Sequence, residues 1–308
     1  MRRVLFKVIL SIFFVGCVSK EPITWKRRVL NSKIKPLNLA YIEYGLNHKK
    51  SLILIHGFGE SKYTWRFIAK DLAKKYRVIA VDLKGFGESP KLKDKKYSVY
   101  DQAKILEKFI EEKRLREVTL IGRSFGGGVA LVLALMQEQN LLKFKINKLV
   151  LINTMCYRQK LPSMMRILKK PIIGYLGIHL LSSKTIAKEA YKFAFSNDNL
   201  IPEDSVKESA KFLDLPLAKY AYKESVDDII PDDIDYIESL YSKISIPTLI
   251  IWGRDDISIP YKFGIKLHRA IKNSKLIIIP NIGHMPQEES PKVVFKVINR
   301  FLSNKRKF

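Results

Sequence analysis

Cysteine is nearly missing from this chain of 308 residues: only Cys17 and Cys156 occur. One of them falls in an N-terminal leader, so no structural disulfide is expected. No cluster of metal-ligating residues and no nucleotide-binding fingerprint is present, so the expectation is no metal and no cofactor. Acidic residues are scarce, 30 against 56 Lys and Arg, for a formal charge of +26. The cations are mostly lysines spread along the whole chain, with no basic tail, no Arg-rich block and no recognised nucleic-acid module. A nucleic-acid partner is therefore not expected. A solvated, lysine-rich surface accounts for the charge, and so does attraction to an anionic membrane face. There is no internal repeat.

What is present suits one large α/β domain with an insertion, or two domains, and 47% hydrophobic residues allow a sizeable core. The first residues read as a targeting segment. Arg2, Arg3 and Lys7 precede an apolar run from Val8 to Val15, then Gly16-Cys17. The run is too short to span a bilayer and fits a secretory signal over residues 1–16. A basic linker follows over 17–36.

From there apolar strands alternate with helices. Leu39 to Tyr44 alternates like a strand, while Ser51 to Ile55, Arg77 to Val81 and Lys148 to Ile152 are continuous apolar runs. Such runs predict strands buried on both faces of a parallel sheet. A helix is expected near Ser61 and another from Val99 to Glu112. Between about 154 and 243 the buried strands stop, and Tyr, Lys, Asp and Pro punctuate short helical patterns. The earlier style resumes with strands at Pro247 to Trp252 and Leu276 to Ile279, and helices at Tyr261 to Ile271 and Pro291 to Leu302.

The chain is organised around Val118 to Gly128. A short strand enters Gly122-Arg123-Ser124-Phe125-Gly126, and an apolar helix from Val129 to Met136 follows. Glycines two residues either side of a serine, between strand and helix, predict a sharp turn that pushes the hydroxyl out at the sheet's carboxyl edge. Side chains at Gly122 and Gly126 would collide with the neighbouring strand and helix. A serine nucleophile needs a base, and the base needs an orienting acid. His284 follows the last strand and is the expected base, whereas His56 is read as a buried scaffold residue. Two aspartates follow the strand ending at Trp252. Asp256, four residues before Pro260, has the preferred spacing, and Asp255 is the alternative. Asn153 and Thr154 occupy the other place where an acid could stand. Phe125 N–H at the helix start and Phe58 N–H in the loop His56-Gly57-Phe58-Gly59 are the expected oxyanion donors.

Four motifs in order, His56-Gly57-Phe58-Gly59, Asp82 to Ser89, Gly122 to Gly127, and Gly253 to Pro260 with Gly283-His284, resemble the α/β-hydrolase superfamily over about 37–305. The nearest likeness is to capped esterases, lipases and carbon–carbon hydrolases of meta-ring-fission products. Ser124 argues against the epoxide hydrolases and dehalogenases of this fold, which place aspartate at the turn. The resemblance implies a mostly parallel central sheet covered by helices on both faces, with a helical cap inserted after the sixth strand. The core would be 37–153 and 244–308, and the cap 154–243. It implies a Ser124–His284–Asp256 triad and hydrolysis of small or lipid-derived esters through an acyl-enzyme. The alternatives are carbon–carbon hydrolysis and a non-catalytic binding protein on the same fold. Asp82 to Ser89 is implied to be a structural turn, not a phosphate loop.

Phe14-Val15-Gly16-Cys17 resembles a bacterial lipobox, although Phe14 departs from the usual leucine. That resemblance implies an acyl chain such as palmitate on Cys17, and an extracytoplasmic lipoprotein held at a membrane surface. Two further points stay open. Arg123 packs outward along its stem or biases the pocket toward anionic substrates. The stretch from Leu161 to Leu176 is a cap helix packed on the core or a lid surface facing lipid, and Arg166, Lys169 and Lys170 rule out a transmembrane span.

Overall fold

The computed structural model describes Ile34 and residues 36–304. The leader, Cys17 and most of the linker lie outside the described residues. Among the described residues seven strands form one sheet: β1 (Tyr41–Tyr44), β2 (Ser51–Ile55), β3 (Arg77–Val81), β4 (Glu117–Arg123), β5 (Lys145–Ile152), β6 (Thr248–Gly253) and β7 (Ser274–Ile279). Their order is β1-β3-β2-β4-β5-β6-β7, and every pair is parallel except β1 with β3.

The apolar runs are apolar because both faces of the sheet are covered. Side chains of a strand alternate between faces. Leu52, Leu54, Val78 and Ala80 enter one core, while Ile53, Ile55, Ile79 and Val81 enter the other. On the first face lie α1 (Arg66–Leu72) and α12 (Pro291–Ser303), which contributes Val294, Ile298 and Phe301. On the second lie α2 (Val99–Glu112) and α3 (Phe125–Glu138). Ser98 and Asp101 close a reciprocal capping box at the start of α2, which is why that helix begins where its sequence predicts. Residues 125–136 of α3 are all buried, so this helix shows no polar face.

Between β5 and β6 the chain forms only helices: α4 (Ser163–Leu168), α5 (Pro171–Leu180), α6 (Ser183–Ala194), α7 (Glu203–Leu213), α8 (Ala218–Asp227) and α9 (Ile234–Leu240). The insertion expected after a sixth strand follows the fifth among the described residues. A single antiparallel strand, β1, closes the sheet edge beside β3, so one strand fewer precedes it. The stretch from Leu161 to Leu176 is two helices, broken where Pro171 starts α5. After β6 come α10 (Lys262–Ala270), β7, the single turn α11 (Pro286–Glu289) and α12.

The parallel strands all point their carboxyl ends the same way. The loops after β2, β4, β5, β6 and β7 therefore meet at one edge of the sheet.

Candidate active site

Ser124 sits between β4 and α3 with φ 50° and ψ −118°, a conformation that L-residues seldom adopt. The turn holds it there because the backbones on either side press together. A Cβ on Gly126 would stand 2.3 Å from the His56 carbonyl oxygen, and one on Gly122 would stand 2.5 Å from the Gly126 carbonyl oxygen. Neither backbone can move aside within the packed sheet, so glycine is required at both places. Ser124 N–H donates to the Ile152 carbonyl at 2.9 Å, which ties the turn to β5.

The loop after β7 brings His284 over this turn. Its Nε2 lies 3.0 Å from Ser124 Oγ and its Nδ1 lies 2.7 Å from Asp256 Oδ2. With Nδ1–H donating to the carboxylate, Nε2 is left as the acceptor for the serine hydroxyl. Asp256, not Asp255, faces the imidazole; Asp255 is exposed at the loop. The other oxygen of Asp256 accepts the N–H groups of Ser258 and Ile259 at 2.8 and 2.9 Å. Burial lowers the His284 pKa below its ordinary 6.5, opposed by Asp256 and reinforced by Arg123.

Gly57, in the loop after β2, lies against Ser124, since a Cβ on it would stand 3.2 Å from Ser124 Cβ. Among the described residues, neither Phe58 N–H nor Phe125 N–H finds an acceptor. His56 donates through Nδ1 to the Gly57 carbonyl at 2.7 Å and accepts Leu83 N–H on Nε2 at 2.9 Å. It is a scaffold residue, as its sequence position suggests. Burial drives its pKa down to about 4. Asp82 likewise binds its own loop, accepting Glu88 N–H at 2.9 Å and Lys62 Nζ at 2.6 Å.

Residues 50–291 match the sequence model of a family described as the alpha/beta hydrolase fold. The chain belongs to that family. As a member of it, the protein is a hydrolase, and its curated relatives span several substrates. It is 28% identical to 2-hydroxy-6-oxo-6-(2'-aminophenyl)hexa-2,4-dienoic acid hydrolase of Metapseudomonas resinovorans, over 86% of this chain and 87% of that one. It is 26% identical to Lipase 3 of Moraxella sp. strain TA144, over 95% of each chain. Among solved structures it is similar to a serine hydrolase involved in carbazole degradation, with 26% identity and a TM-score of 0.67, over 86% of this chain and 94% of that one.

Around the α/β-hydrolase turn, three supporting residues escape sequence reading. Asn153, with φ 42°, donates through Nδ2 to Asp256 Oδ2 at 2.6 Å and to the Gly283 carbonyl at 3.2 Å, and its Oδ1 accepts Gly253 N–H. The position that sequence reading closes as an acid site holds the acid instead. Glu289 accepts Gly283 N–H and Met285 N–H, clamping the loop on both sides of His284. Glu60 accepts Gly57 N–H at 3.1 Å and pairs with Arg123. The sequence signal for Asn153 and Glu60 is proximity to a strand end, and Glu289 has none.

Arg123 corrects both of its sequence readings. Its stem does not run outward; the residue is buried. Its guanidinium is not offered to a substrate, because Nη1 pairs with Glu60 while Nε and Nη2 each donate to the His284 carbonyl at 3.2 Å. It therefore straps the turn, the histidine loop and the Gly57 loop together.

A cavity of about 470 Å³ opens above Ser124 and His284. Its wall comes from Phe58 and Met155 on the sheet side and from Leu161, Met164, Met165, Ile186, Phe193 and Phe212 on the inserted helices. Two cations line it, and each has a carboxylate: Arg123 has Glu60, and Lys192 has Glu189 at 3.3 Å. Among the described residues no group of His, Cys, Asp and Glu could hold a metal ion.

Proposed function

We propose that this hydrolase cleaves carboxylic esters of small or lipid-derived acyl groups through an acyl-enzyme on Ser124. The observation that carries the reading is the continuous line Asp256–His284–Ser124 opening into an apolar cavity beside two uncommitted amides. His284 Nε2 takes the Ser124 proton as Oγ attacks the ester carbonyl. The Phe58 and Phe125 N–H groups receive the developing oxyanion, where each such donor contributes about 3–4 kcal/mol. The alcohol leaves with the proton from His284, and water, activated by the same imidazole, then releases the acid. Asp256 holds the tautomer and stabilises the imidazolium.

The inserted helices act as a cap, and their methionines and leucines suit an acyl chain because they are apolar and adaptable. Carbon–carbon cleavage of a carboxylated dienoate is the less favoured chemistry. It would need a cation for the carboxylate, and of the two in the wall Arg123 is buried against Glu60 while Lys192 sits in an exposed pair with Glu189.

The test is hydrolysis of a p-nitrophenyl ester chain-length series by the wild type and by Ser124→Ala. The expected result is turnover by the wild type and a fall in kcat of about 10⁶-fold in the variant. If both fold and both are inert, the esterase reading fails. Turnover of a vinylogous diketone would then favour carbon–carbon hydrolysis, and its absence a binding protein.

We further propose that Cys17 is acylated and that the protein works outside the cytoplasm on a membrane. The support is the motif ending in Gly16-Cys17 after a short apolar run. Palmitate labelling of the wild type, lost in Cys17→Ser, is the expected outcome.

A further inference from the structure

Helix α5 has the sequence Pro-Ile-Ile-Gly-Tyr-Leu-Gly-Ile-His-Leu, with no charged residue on either face unless His179 is protonated. A helix that is apolar all round is ordinarily buried all round. Here only Gly174 and Ile178 are buried, against α4 and α8. Ile172 is 75% exposed and Leu180 80%, with Ile173, Tyr175 and Leu176 about half or more exposed beside them. Leu181 and Ile167 extend the same exposed surface. Scattered exposed apolar side chains need no explanation, but a contiguous face of this size marks an interaction site.

The charges around it say what kind of partner fits. From Leu161 to Lys188 there is no Asp or Glu, while Arg166, Lys169, Lys170, Lys184 and Lys188 flank the apolar face. Beside α5 runs a groove of about 670 Å³ lined by Lys93, His179, Lys219 and Lys223, with Asp214 and Glu224 also in its wall. Asp214 accepts a hydrogen bond from Ser183, and Lys223 is paired with Asp227 at 2.5 Å. An apolar helical face in a segment, 161–188, that carries cations and no acid matches acyl chains beneath anionic headgroups. A second copy of the chain would bring a surface of the same positive sign against it, on a molecule already at +26.

We propose that α5 is a membrane-docking helix that lies in the interface of an anionic lipid bilayer, independently of any acyl group at Cys17. The helix sinks Ile172, Ile173, Leu176 and Leu180 among the acyl chains, and Arg166, Lys169 and Lys170 meet the phosphates. Helix α4 joins this face to the site, since its Ser163, Met164 and Met165 line the cavity while its Arg166 and Ile167 are exposed. Docking would therefore set the cavity wall directly over the lipid surface. The inference does not require the ester reading, because it concerns binding alone.

The experiment uses the full chain with Cys17→Ser, so that no lipid is attached, and Tyr175→Trp as a reporter on α5. Trp65 and Trp252 are buried, and the chain without the reporter supplies the remaining background. Vesicles of phosphatidylglycerol, of phosphatidylcholine, and of phosphatidylglycerol with brominated acyl chains are the probes. The expected result is a blue shift of the reporter on phosphatidylglycerol vesicles and quenching by the brominated chains. Binding should be about tenfold weaker or more on phosphatidylcholine, at high salt, and in Lys169→Gln/Lys170→Gln. Ile172→Ser/Leu180→Ser should also lose binding while keeping its thermal unfolding midpoint and circular dichroism. None of these substituted side chains lines the cavity above Ser124. Three results would overturn the proposal: a reporter that neither shifts nor is quenched when the chain binds, equal binding to both lipids, or a sedimentation-detected dimer that Ile172→Ser/Leu180→Ser dissolves.

Discussion

Asn153 decides where Asp256 points, and Asp256 decides where His284 points. Asn153→Ala removes the 2.6 Å donor to the carboxylate while leaving the carboxylate in place. A hydrogen bond to a charged group is worth about 1.5–3 kcal/mol, so kcat/KM should fall about 10- to 100-fold. A loss confined to KM would assign Asn153 to substrate binding instead. In the proposed mechanism His284 carries the acid limb of the pH profile. Its pKa is lowered by burial, and only the neutral imidazole can take the serine proton. Activity should therefore rise with pH through an apparent pKa below 6.5, and kcat/KM measured from pH 4 to 8 checks it. A limb above 6.5 would show Asp256 outweighing burial.

The strap from Arg123 acts between elements, and its removal should be felt as instability before it is felt as chemistry. The side chains of Arg123 and Glu60 are 3% and 9% exposed. Arg123→Met leaves a buried carboxylate without its partner, which costs about 3–5 kcal/mol. Arg123→Met with Glu60→Gln removes both charges and should recover much of that loss. Urea unfolding of the two single variants and the double variant measures the coupling, and additive effects would deny the strap. The turn itself tolerates less. Gly126→Ala pushes a methyl group into the carbonyls of His56 and Ile55, at 2.3 and 2.5 Å. Either the β2 loop or the turn must shift, and the variant should lose stability together with the proposed ester hydrolysis.

Across the whole molecule, buried titrating groups pull in opposite directions as pH falls. His56 titrates near 4 in the fold and near 6.5 when unfolded, so the unfolded chain takes the proton first. The stability this residue contributes is present above 6.5 and is lost toward pH 4, by about 3 kcal/mol over the full span. Burial pushes Glu60 the other way, from 4.5 up to about 7, with Arg123 opposing. Its share is present below 4.5 and is lost as pH rises through 7. Glu60→Gln should therefore lose stability more steeply than the wild type between pH 7 and 4.5. Urea midpoints at several pH values give the comparison, and parallel curves would show that Arg123 keeps Glu60 ionised throughout.

The alternation of apolar runs, the glycine-flanked serine and the late Asp and His were enough to determine a doubly covered parallel sheet. They also pointed to three side chains, Ser124, Asp256 and His284, and two amides, Phe58 and Phe125, at its edge. That much is local: strand burial shows as unbroken Val, Ile and Leu, and a sharp turn shows as glycine. What the chain does with Asn153 and Arg123 depends on contacts across more than a hundred residues, Asn153 with Asp256 and Arg123 with His284, while Glu60 reaches Arg123 from 63 residues away and Glu289 folds back on its own loop. Polar side chains near strand ends carry no periodicity that announces such partners. The outward or ligand-facing readings of Arg123 failed for that reason. The same holds for α5, whose composition suits a buried helix and a lipid-facing one equally. Only the packing of Gly174 and Ile178, with Ile172 and Leu180 left outside, shows that one face of this helix stays exposed, because burial belongs to the neighbours a side chain finds and not to its own hydrophobicity.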